Sequence, residues 1–364
     1  MIWKALLLGC VYSWPTPSVA EDWRIALPGW HYEFPRDHHS HDDFKTEWWY
    51  FTGNLDGDDG NRFGYELTFF REGVRAPGAR SGTTSRFIVD DLKFAHFALT
   101  DVGGKHFLVD QQVSRGAFGE AGFDAADRLA WIGAWSVTLD AKGRFSLKAT
   151  NSQAALRLEL NGPMAPVIHG IDGVSQKSAG VGNASHYYSQ TRLTTSGEIT
   201  VNGRTRKVRG ASWFDHEWAT NQLGANQAGW DWLSVQLTDG RELMLYRMRL
   251  TDGNVDPASS GSFVDGNGGK MHLTSRDFEM TPTRFWKSAK TQALYPIEWL
   301  VELPTLGARF RVRPVLDNQE LDLKPLSYWE GAVDVTGDEK GAAISGRGYL
   351  ELTGYAAPLR ELTR

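Results

Sequence analysis

The chain has 364 residues, of which 41% are hydrophobic and 23% charged, and it contains 15 Trp, 18 Phe, 11 Tyr and 39 Gly. This composition is that of a folded globular protein of one or two domains, and its aromatic and glycine content favours strands and turns over helices. The net charge is −5 and no run of five Lys or Arg occurs, so the sequence gives no support for nucleic-acid binding.

The first residues have the pattern of an export signal. Lys4 precedes an apolar run at residues 5–12, and the small residues 18–20 resemble a cleavage site. We therefore predict a signal peptide over residues 1–20 and an exported, periplasmic mature protein. A lipoprotein signal with Cys10 as the lipidated residue is the alternative. Cys10 is the only cysteine, so a mature chain without it has no disulfide, thiolate ligand or cysteine nucleophile.

Alternation of apolar and polar residues is the commonest pattern along the chain. It occurs at 62–71, 130–140, 143–150, 156–160, 297–303, 308–314 and 348–355. A period of two places the apolar side chains on one face of a strand, and turns rich in Gly, Asp and Asn separate these segments. The pattern predicts an all-β protein of the barrel or sandwich type.

Two segments echo each other and suggest an internal repeat. Segments 47–55 and 229–237 each contain a Trp, an aromatic residue two positions later and a Leu five positions after that. Each could open one of two related β domains. The polar, glycine-containing stretch 219–229 lies between them, so we predict domains at 21–222 and 223–364.

Segment 162–185 lacks alternation and is predicted to be a long loop. Loops of this length often form the lid or wall of a site. Its glycines are not followed by Gly-Lys-Ser/Thr, so the segment does not match a phosphate-binding loop.

A histidine-rich stretch at 31–44 resembles an extended N-terminal arm. The residues that could bind Zn²⁺ or Ni²⁺ are His38, His39, His41, Asp37, Asp42 and Asp43. A rigid metal site needs ligands held on fixed elements with a supporting outer shell. We therefore interpret the stretch as structural or as an adventitious metal binder, and we predict neither a metal site nor a cofactor.

The stretch WFDHEW, residues 213–218, places ionisable side chains among large aromatic rings. In a strand, Trp213, Asp215 and Glu217 lie on one face and the residues between them on the other. Charges are costly among buried rings unless they are paired or neutralised. Such an environment raises the pKa of a carboxyl group, and a carboxyl group that is protonated near neutral pH can act as a general acid.

A second strand-like segment, 185–193, could supply partners for Asp215. It places His186 and Tyr188 on one face, and we expect both to converge with Trp213 and Asp215 in one cavity. Because aromatic faces stabilise cations, this set would suit protonation of a carbon–carbon double bond and shelter of the carbocation. A structural ion pair or hydrogen-bonded cluster at a barrel end is the alternative, and the residues alone leave both open.

Glu47 and Trp49 lie on one face of segment 47–55. We take these two residues, together with Glu217, as candidates for substrate binding in the same cavity. For Glu47 the alternative is a structural ion pair with an arginine such as Arg71 at a barrel end.

Several segments, taken together and in order, resemble the AttH-like/carotenoid 1,2-hydratase (hydroxyneurosporene synthase) family. They are HHSHDDFKTEWWYFTGNL, SHYYSQTRL, GASWFDHEWATNQL, GWDWLSVQLTDGRELMLYRMR and YWEGAVDVTG with GRGYLELTGY. The resemblance covers roughly residues 30–360. It implies two consecutive lipocalin-like antiparallel β-barrel domains, which agrees with the all-β pattern and the internal echo.

The resemblance also implies a chemistry. In the hydratase branch an aspartate protonates a terminal isoprenoid double bond and water captures the tertiary cation, and related members cyclise terpenoid chains by similar acid chemistry. The matching aspartate is Asp215. The resemblance places His186, Tyr188 and Trp213 around it as further catalytic candidates, and it implies no cofactor.

Two functional hypotheses follow. The first is a cofactor-independent hydro-lyase or terpenoid cyclase that acts on an isoprenoid or another apolar substrate. The second is a non-catalytic periplasmic carrier of a lipid or other hydrophobic molecule, linked to an ABC-type envelope transport system, since barrel-like domains form apolar cavities without any need for catalysis. Both predict a hydrophobic small molecule as the partner.

Overall fold

The computed structural model describes residues 23–80, 85, 87–125, 128–162, 164–324, 326–357 and 359. Regular structure in these residues is almost entirely β-strand, and the helical segments there are short 3-10 turns at Arg36–His38, Pro77–Ala79 and Ala117–Gly119. The all-β prediction is therefore confirmed. No helix in these ranges has the length and apolarity needed to cross a membrane. The predicted signal peptide and Cys10 lie outside the described residues.

Thirteen strands of the described chain form the first sheet. They are β1 Thr46–Gly57, β2 Arg62–Gly73, β3 Asp91–Asp101, β4 His106–Ser114, β5 Ala121–Ala125, β6 Arg128–Ile132, β7 Trp135–Leu139, β8 Arg144–Thr150, β9 Ala154–Asn161, β10 Val167–Ile168, β11 Ser175–Gln176, β12 Ala184–Val201 and β13 Arg204–Ala219. The order is β4-β3-β2-β1-β13-β12-β9-β8-β7-β6-β5, with β10 and β11 added to β12. This antiparallel sheet curls into a nearly closed barrel.

Ten further strands, again counted over the described residues, form the second sheet. They are β14 Gln227–Leu237, β15 Glu242–Leu250, β16 Ser260–Val264, β17 Lys270–Thr274, β18 Glu279–Lys287, β19 Leu294–Leu303, β20 Ala308–Pro314, β21 Glu320–Asp322, β22 Ser327–Glu339 and β23 Ala342–Leu352. Their order is β17-β16-β15-β14-β23-β22-β20-β19-β18, with β21 paired to β22. The sheet forms an antiparallel half-barrel. The echoing segments are β1 and β14, the first strand of each sheet.

The barrel interior is filled by the apolar residues that the alternation placed on one face of each strand. In β8, for example, Phe145 and Leu147 are buried and their neighbours are more exposed. Trp49, Trp135 and Trp218 are among the largest side chains in this core, and all are essentially without solvent contact. The first sheet therefore has a packed interior, and a ligand site must lie elsewhere.

The two sheets pack against each other through the outer face of β1, β2 and β13 and the inner strands β14, β22 and β23. A hydrophobic cluster between the sheets contains Tyr50, Trp213 and Trp232. The close approach requires glycine at position 64, because a Cβ atom there would lie 2.6 Å from the Cβ of Ala332.

Candidate active site between the two sheets

A cavity of about 770 Å³ lies between the two sheets. Trp48 and Tyr50 of β1 line one wall, and Trp232 of β14 and Met248 of β15 line the opposite wall. Small-molecule sites typically have volumes of about 300–1,000 Å³ and mostly apolar walls. The cavity therefore has the size and lining to hold an apolar organic molecule.

Asp215 of β13 faces this cavity and is 3% exposed. Its Oδ1 accepts hydrogen bonds from the Ser189 hydroxyl and from the Trp213 indole N–H at 2.6 Å, and its Oδ2 accepts one from the Tyr187 hydroxyl at 2.7 Å. The Trp232 N–H donates in turn to the Tyr187 hydroxyl at 3.0 Å. The carboxyl group is thus fixed in orientation by three donors of the first sheet, and the second sheet contributes through Trp232 and Tyr187.

The surroundings of Asp215 hold its carboxyl group near the point of half-protonation at neutral pH. Burial is the largest influence and raises the pKa of Asp215 from 3.8 to about 7. The three hydrogen bonds favour the charged form and partly oppose this rise, and the Glu217 carboxylate adds a smaller upward contribution. A carboxyl group with a pKa near ambient pH is well matched to proton donation.

A buried histidine, His169, contacts the Asp215 cluster through the Ser189 hydroxyl. His169 Nε2 lies 2.6 Å from the Ser189 hydroxyl, and His169 Nδ1 lies 2.9 Å from the hydroxyl of Ser262 on β16. Burial, with nearby lysines, holds the pKa of His169 well below its usual value. The neutral ring therefore orients Ser189, which donates to the acid, without placing a charge beside it.

Removing the Ser189 hydroxyl should raise the pKa of Asp215 further. A hydrogen bond to a charged group contributes about 1.5–3 kcal/mol, so Ser189→Ala should shift the pKa upward by about one to two units. Infrared titration of the carboxyl band, assigned by its absence in Asp215→Asn, measures the shift. Ser185→Ala is the matched control, because Ser185 is buried on the same strand and its hydroxyl has no hydrogen-bond partner among the described residues. Equal titration of Ser189→Ala and the wild type would contradict this assignment.

Glu217 and Lys177 form an ion pair at the cavity wall. Lys177 Nζ lies 3.0 Å from Glu217 Oε1 and 4.1 Å from the ring centroid of Tyr246. Burial alone would lower the pKa of Lys177, but the Glu217 carboxylate more than offsets this and keeps it above the usual value. Lys177 belongs to segment 162–185, for which the sequence predicts a loop at the wall of a site. The side chain of Lys177 does line the cavity.

The structure does not bring His186 and Tyr188 to Asp215. The cross-strand partner of Asp215 is Ser189, so the face shared with the acid carries Tyr187 and Ser189. His186 and Tyr188 point the other way, toward the barrel, where Tyr188 belongs to the packed core. The expected convergence of these two residues with the acid is therefore wrong in geometry, whereas Trp213 does contact Asp215 directly.

Trp49 also lies in the barrel, not in the cavity. Its indole N–H donates to the His38 carbonyl at 2.9 Å, and its ring stacks on His216 with centroids 4.7 Å apart. Trp49, proposed from the sequence for substrate binding, has its ring on the opposite face of β1 from Tyr50, which lines the cavity.

Sequence reasoning missed Tyr187, which forms part of the cavity wall and donates a hydrogen bond to Asp215.

Glu47 borders the cavity, but its carboxylate is held in a buried polar network. It lies 3.2 Å from Arg71 Nε, 2.7 Å from His41 Nδ1 and 2.9 Å from His216 Nε2. Burial alone would raise the pKa of Glu47, but these three partners hold it below the usual value. The pairing with Arg71 matches the structural alternative predicted for Glu47.

The histidine-rich stretch is packed against the barrel end and is not an extended arm. His38 Nδ1 lies 2.6 Å from the Tyr188 hydroxyl. Within the described residues, the group whose ligand atoms come close enough to hold a metal ion is His41, Glu47 and His216, with those atoms within 4.8 Å of one another. Arg71 contacts the same carboxylate and already supplies positive charge there, so we interpret the cluster as structural.

The raised pKa of Asp215 should appear in the pH dependence of stability. An acid whose pKa is higher in the folded state stabilises the protein fully below about pH 4, and this contribution is lost as the pH rises toward 7. The difference in unfolding free energy between wild type and Asp215→Asn should therefore fall by about 3 kcal/mol between pH 4 and 7. Urea unfolding at several pH values measures it, and a pH-independent difference would show that Asp215 is ionised normally.

The fold and site together define a class of protein: a two-sheet β protein with a buried acid at an apolar cavity between its sheets. The chain belongs to the AttH-like family, because the profile of that family matches residues 25–355. The family predicted from the sequence is thus confirmed.

Two crystal structures resemble the chain over nearly its whole length. One is described as an AttH from Nitrosomonas europaea. It is 35% identical with a TM-score of 0.82, and the match covers 91% of this chain and 99% of that one. The other is kievitone hydratase from Nectria haematococca, which is 12% identical with a TM-score of 0.70, over 93% of this chain and 95% of that one. At that identity the likeness concerns the fold alone.

A further relative is known from its sequence. The dehydratase asqC of Emericella nidulans is 22% identical over 216 residues. The match covers 57% of this chain and 60% of that protein, so the chain spans only about three fifths of the length of this curated relative.

Proposed function

We propose that this protein is an acid-catalysed hydratase or dehydratase for an apolar substrate, an isoprenoid or a similar hydrophobic molecule, with Asp215 as the proton donor. The observation that carries the proposal is the position of Asp215, which is 3% exposed, held by three hydrogen bonds and directed into a 770 Å³ cavity. Hydration and dehydration are also the activities named for the relatives kievitone hydratase and asqC.

The chemistry requires one proton to move in each direction. In hydration, the carboxyl proton of Asp215 passes to one alkene carbon, and the π electrons of the double bond form the new C–H bond. The neighbouring carbon becomes a cation, water bonds to it, and the proton that this water releases restores the carboxyl group. Dehydration is the reverse: Asp215 protonates the hydroxyl group, water leaves, and the carboxylate takes a proton from the adjacent carbon.

The aromatic wall supports such a path. Trp48, Tyr50 and Trp232 line the cavity, and aromatic faces attract positive charge by about 0.5–2 kcal/mol each. The apolar lining also limits bulk water near the cation. Both effects act on charge that develops during the reaction, so they would stabilise the transition state more than the neutral substrate.

The proposal is tested with a panel of tertiary and allylic terpene alcohols and the corresponding alkenes, incubated with the protein in D₂O. Hydration should place one deuterium on the alkene carbon adjacent to the carbon that receives the new hydroxyl group, and mass spectrometry detects it. The prior step is extraction of any molecule that co-purifies with the protein. Binding without conversion or deuterium uptake across the panel would contradict the catalytic proposal.

The carrier is a second candidate, favoured by the size and apolar lining of the same cavity. In that case the protein would be exported by its leader and would exchange a lipid with an ABC-type envelope transport system. Recovery of an unaltered lipid from the purified protein, never converted on prolonged incubation, favours this function. The hydrogen-bonded acid would then serve only to shape the polar part of the cavity.

A further inference from the structure

A second group of carboxyls, distinct from the Asp215 cluster, lies at the cavity. Glu330 of β22 and Glu351 of β23 are direct cross-strand partners, and both line the cavity. Glu66 of β2 lies close enough to act electrostatically on both glutamates. Glu66 and Glu330 have no measurable solvent exposure, whereas Glu351 is half-buried.

Several polar atoms in this group lack a well-formed hydrogen bond. The hydroxyls of Tyr50 and Tyr328 lie close to the Glu330 carboxyl. Neither oxygen of Glu330 has a hydrogen bond of proper geometry within the described residues, and the same holds for Glu66 Oε2 and the hydroxyls of Tyr50 and Tyr349. Leaving a buried polar atom unsatisfied costs about 1–3 kcal/mol. Asp215, by contrast, has both oxygens bonded. Gln222 and Glu217 Oε1 at the cavity also lack a hydrogen bond within the described residues, but Glu330 is the cavity carboxyl with both oxygens unsatisfied there.

These glutamates also lack a counter-ion. In the part of the chain that the structure describes, no Lys, Arg or His forms an ion pair with Glu66, Glu330 or Glu351. The Trp230 N–H donates to Glu351 Oε2 at 2.9 Å, which is the side-chain hydrogen bond found at that carboxyl. Burial, with repulsion from Glu66 and Glu351, raises the pKa of Glu330 well above its usual value. Burial, with smaller contributions from Asp215 and Glu217, raises the pKa of Glu351 to about 7. Each carboxyl of the pair is therefore harder to ionise than an ordinary glutamate until a cation lies beside it.

Aromatic residues surround the pair. Tyr50, Trp230, Trp232 and Tyr328 line the cavity beside it, and the Tyr328 hydroxyl is held by His96 Nδ1 at 2.6 Å. A carboxyl pair without a counter-ion among aromatic rings is the arrangement that binds organic ammonium groups, through ion pairing and cation–π attraction. An anionic group beside Glu330 and Glu351 would find no cation in an ion pair with either carboxyl among the described residues, so it would gain no charge contact there.

We propose that Glu330, with Glu351 and Tyr50, binds a protonated amino group of the ligand, so that the cavity takes an apolar molecule with a basic nitrogen at one end. This inference rests on the proposed function only in placing the ligand in this cavity. The ammonium N–H groups donate to the Glu330 oxygens and to the Tyr50 hydroxyl. Glu330 gives up its proton to solvent as the ammonium arrives, so binding releases up to one proton per amine.

The placement also leaves the reacting end of the ligand free to meet Asp215. Trp232 joins the two regions, because it is the cross-strand partner of Glu351 and its N–H donates to Tyr187, which donates to Asp215. A ligand anchored at Glu330 would then extend along this wall toward the acid. The anchor sets position and Asp215 carries the reaction.

Isothermal titration calorimetry with three probes of equal chain length tests the proposal. The probes are decylamine, decanol and decanoate, used below their aggregation limits at pH 7 in phosphate and in Tris. The amine should bind at least about tenfold more tightly than the alcohol, and decanoate should bind most weakly. The dependence of the enthalpy on buffer should report proton release with the amine alone.

Glu330→Gln should weaken amine binding by at least about tenfold and leave decanol within about twofold. Glu351→Gln is the second variant, with a smaller loss for the amine. The control Glu320→Gln, a buried carboxyl with hydroxyl partners outside the cavity, should change neither affinity. Thermal unfolding of each variant establishes that it is folded.

Three results would overturn the inference. These are equal affinity for amine and alcohol, unchanged amine binding by Glu330→Gln, or loss of amine binding in Asp215→Asn instead. Any of them leaves the deuterium experiment with alkenes intact. Conversely, a negative deuterium result leaves the amine affinity measurable, so failure of the anchor and failure of the catalytic proposal are distinguishable.

Discussion

Replacing Asp215 by Asn is expected to lower kcat for hydration or dehydration by about 10²–10⁴-fold and to leave ligand affinity within about threefold. Asn keeps the size and one acceptor oxygen of Asp, so the Trp213 N–H retains its partner. The Ser189 hydroxyl keeps donating to the same oxygen, and the Tyr187 hydroxyl, which faces the other oxygen of Asp215, can rotate to accept from the amide. The variant removes the transferable proton and little else, so the loss should fall on the chemical step.

Steady-state kinetics and ligand titration of the same preparation separate the two effects. Asp56→Asn is the control, since Asp56 lies on β1 in a half-exposed ion pair with Arg347, away from the cavity. Its kcat should stay within about twofold of the wild type. Near wild-type turnover by Asp215→Asn would remove Asp215 as the proton donor and would favour the carrier. A matching rise in Kd would indicate that Asp215 acts in binding.

The fold followed from local patterns that a single sequence displays. Strands such as 143–150 alternate strictly, and one face of each had to be buried. The echo of 47–55 in 229–237 reflects the equivalent places of β1 and β14 as the first strands of the two sheets. The closure of each sheet depends on pairings between distant strands, and alternation within one strand carries no information about those.

The alternation of WFDHEW explains why acids and aromatics are interleaved at 213–218. Asp215 and Glu217 face the cavity between the sheets, whereas Phe214 and Trp218 fill the barrel. One face of β13 thus lines the cavity and the other face packs in the barrel core. The period of two along the strand predicts which residues share a face. The sequence could not reveal that the catalytic candidate faces outward from the barrel.

The partners of Asp215 were misassigned because of one irregularity in the ladder. Counted back from the turn at Asn202, where Val201 pairs with Arg204, a regular ladder would set Gln190 opposite Asp215 and keep Tyr188 on its face. A β-bulge between Gln190 and Leu193 shifts the register by one residue. A shift of one exchanges the faces of everything beyond it, which brings in Ser189 and Tyr187. No residue type in the segment predicts that bulge from the sequence.

Replacing Arg71 by Met is expected to destabilise the folded protein by about 3–5 kcal/mol, a large effect for one substitution. Arg71 is 1% exposed, and its guanidinium donates to Glu47 and, through Nη2, to the His41 and Phe44 carbonyls at 2.9 and 2.8 Å. Methionine fills part of the volume but leaves the Glu47 carboxylate with less positive charge and two buried carbonyls without this donor.

Urea unfolding at pH 7 measures the loss from the midpoint and slope of the transition. Arg75→Met is the matched control, because Arg75 lies near Arg71 in sequence and pairs with Asp90 at a partly exposed position. That pair should contribute less than about 1 kcal/mol. Adding Glu47→Gln to the Arg71 variant should recover part of the stability, since the unpaired charge is then removed. A loss for Arg71→Met no larger than for Arg75→Met would mean that the histidines alone neutralise Glu47.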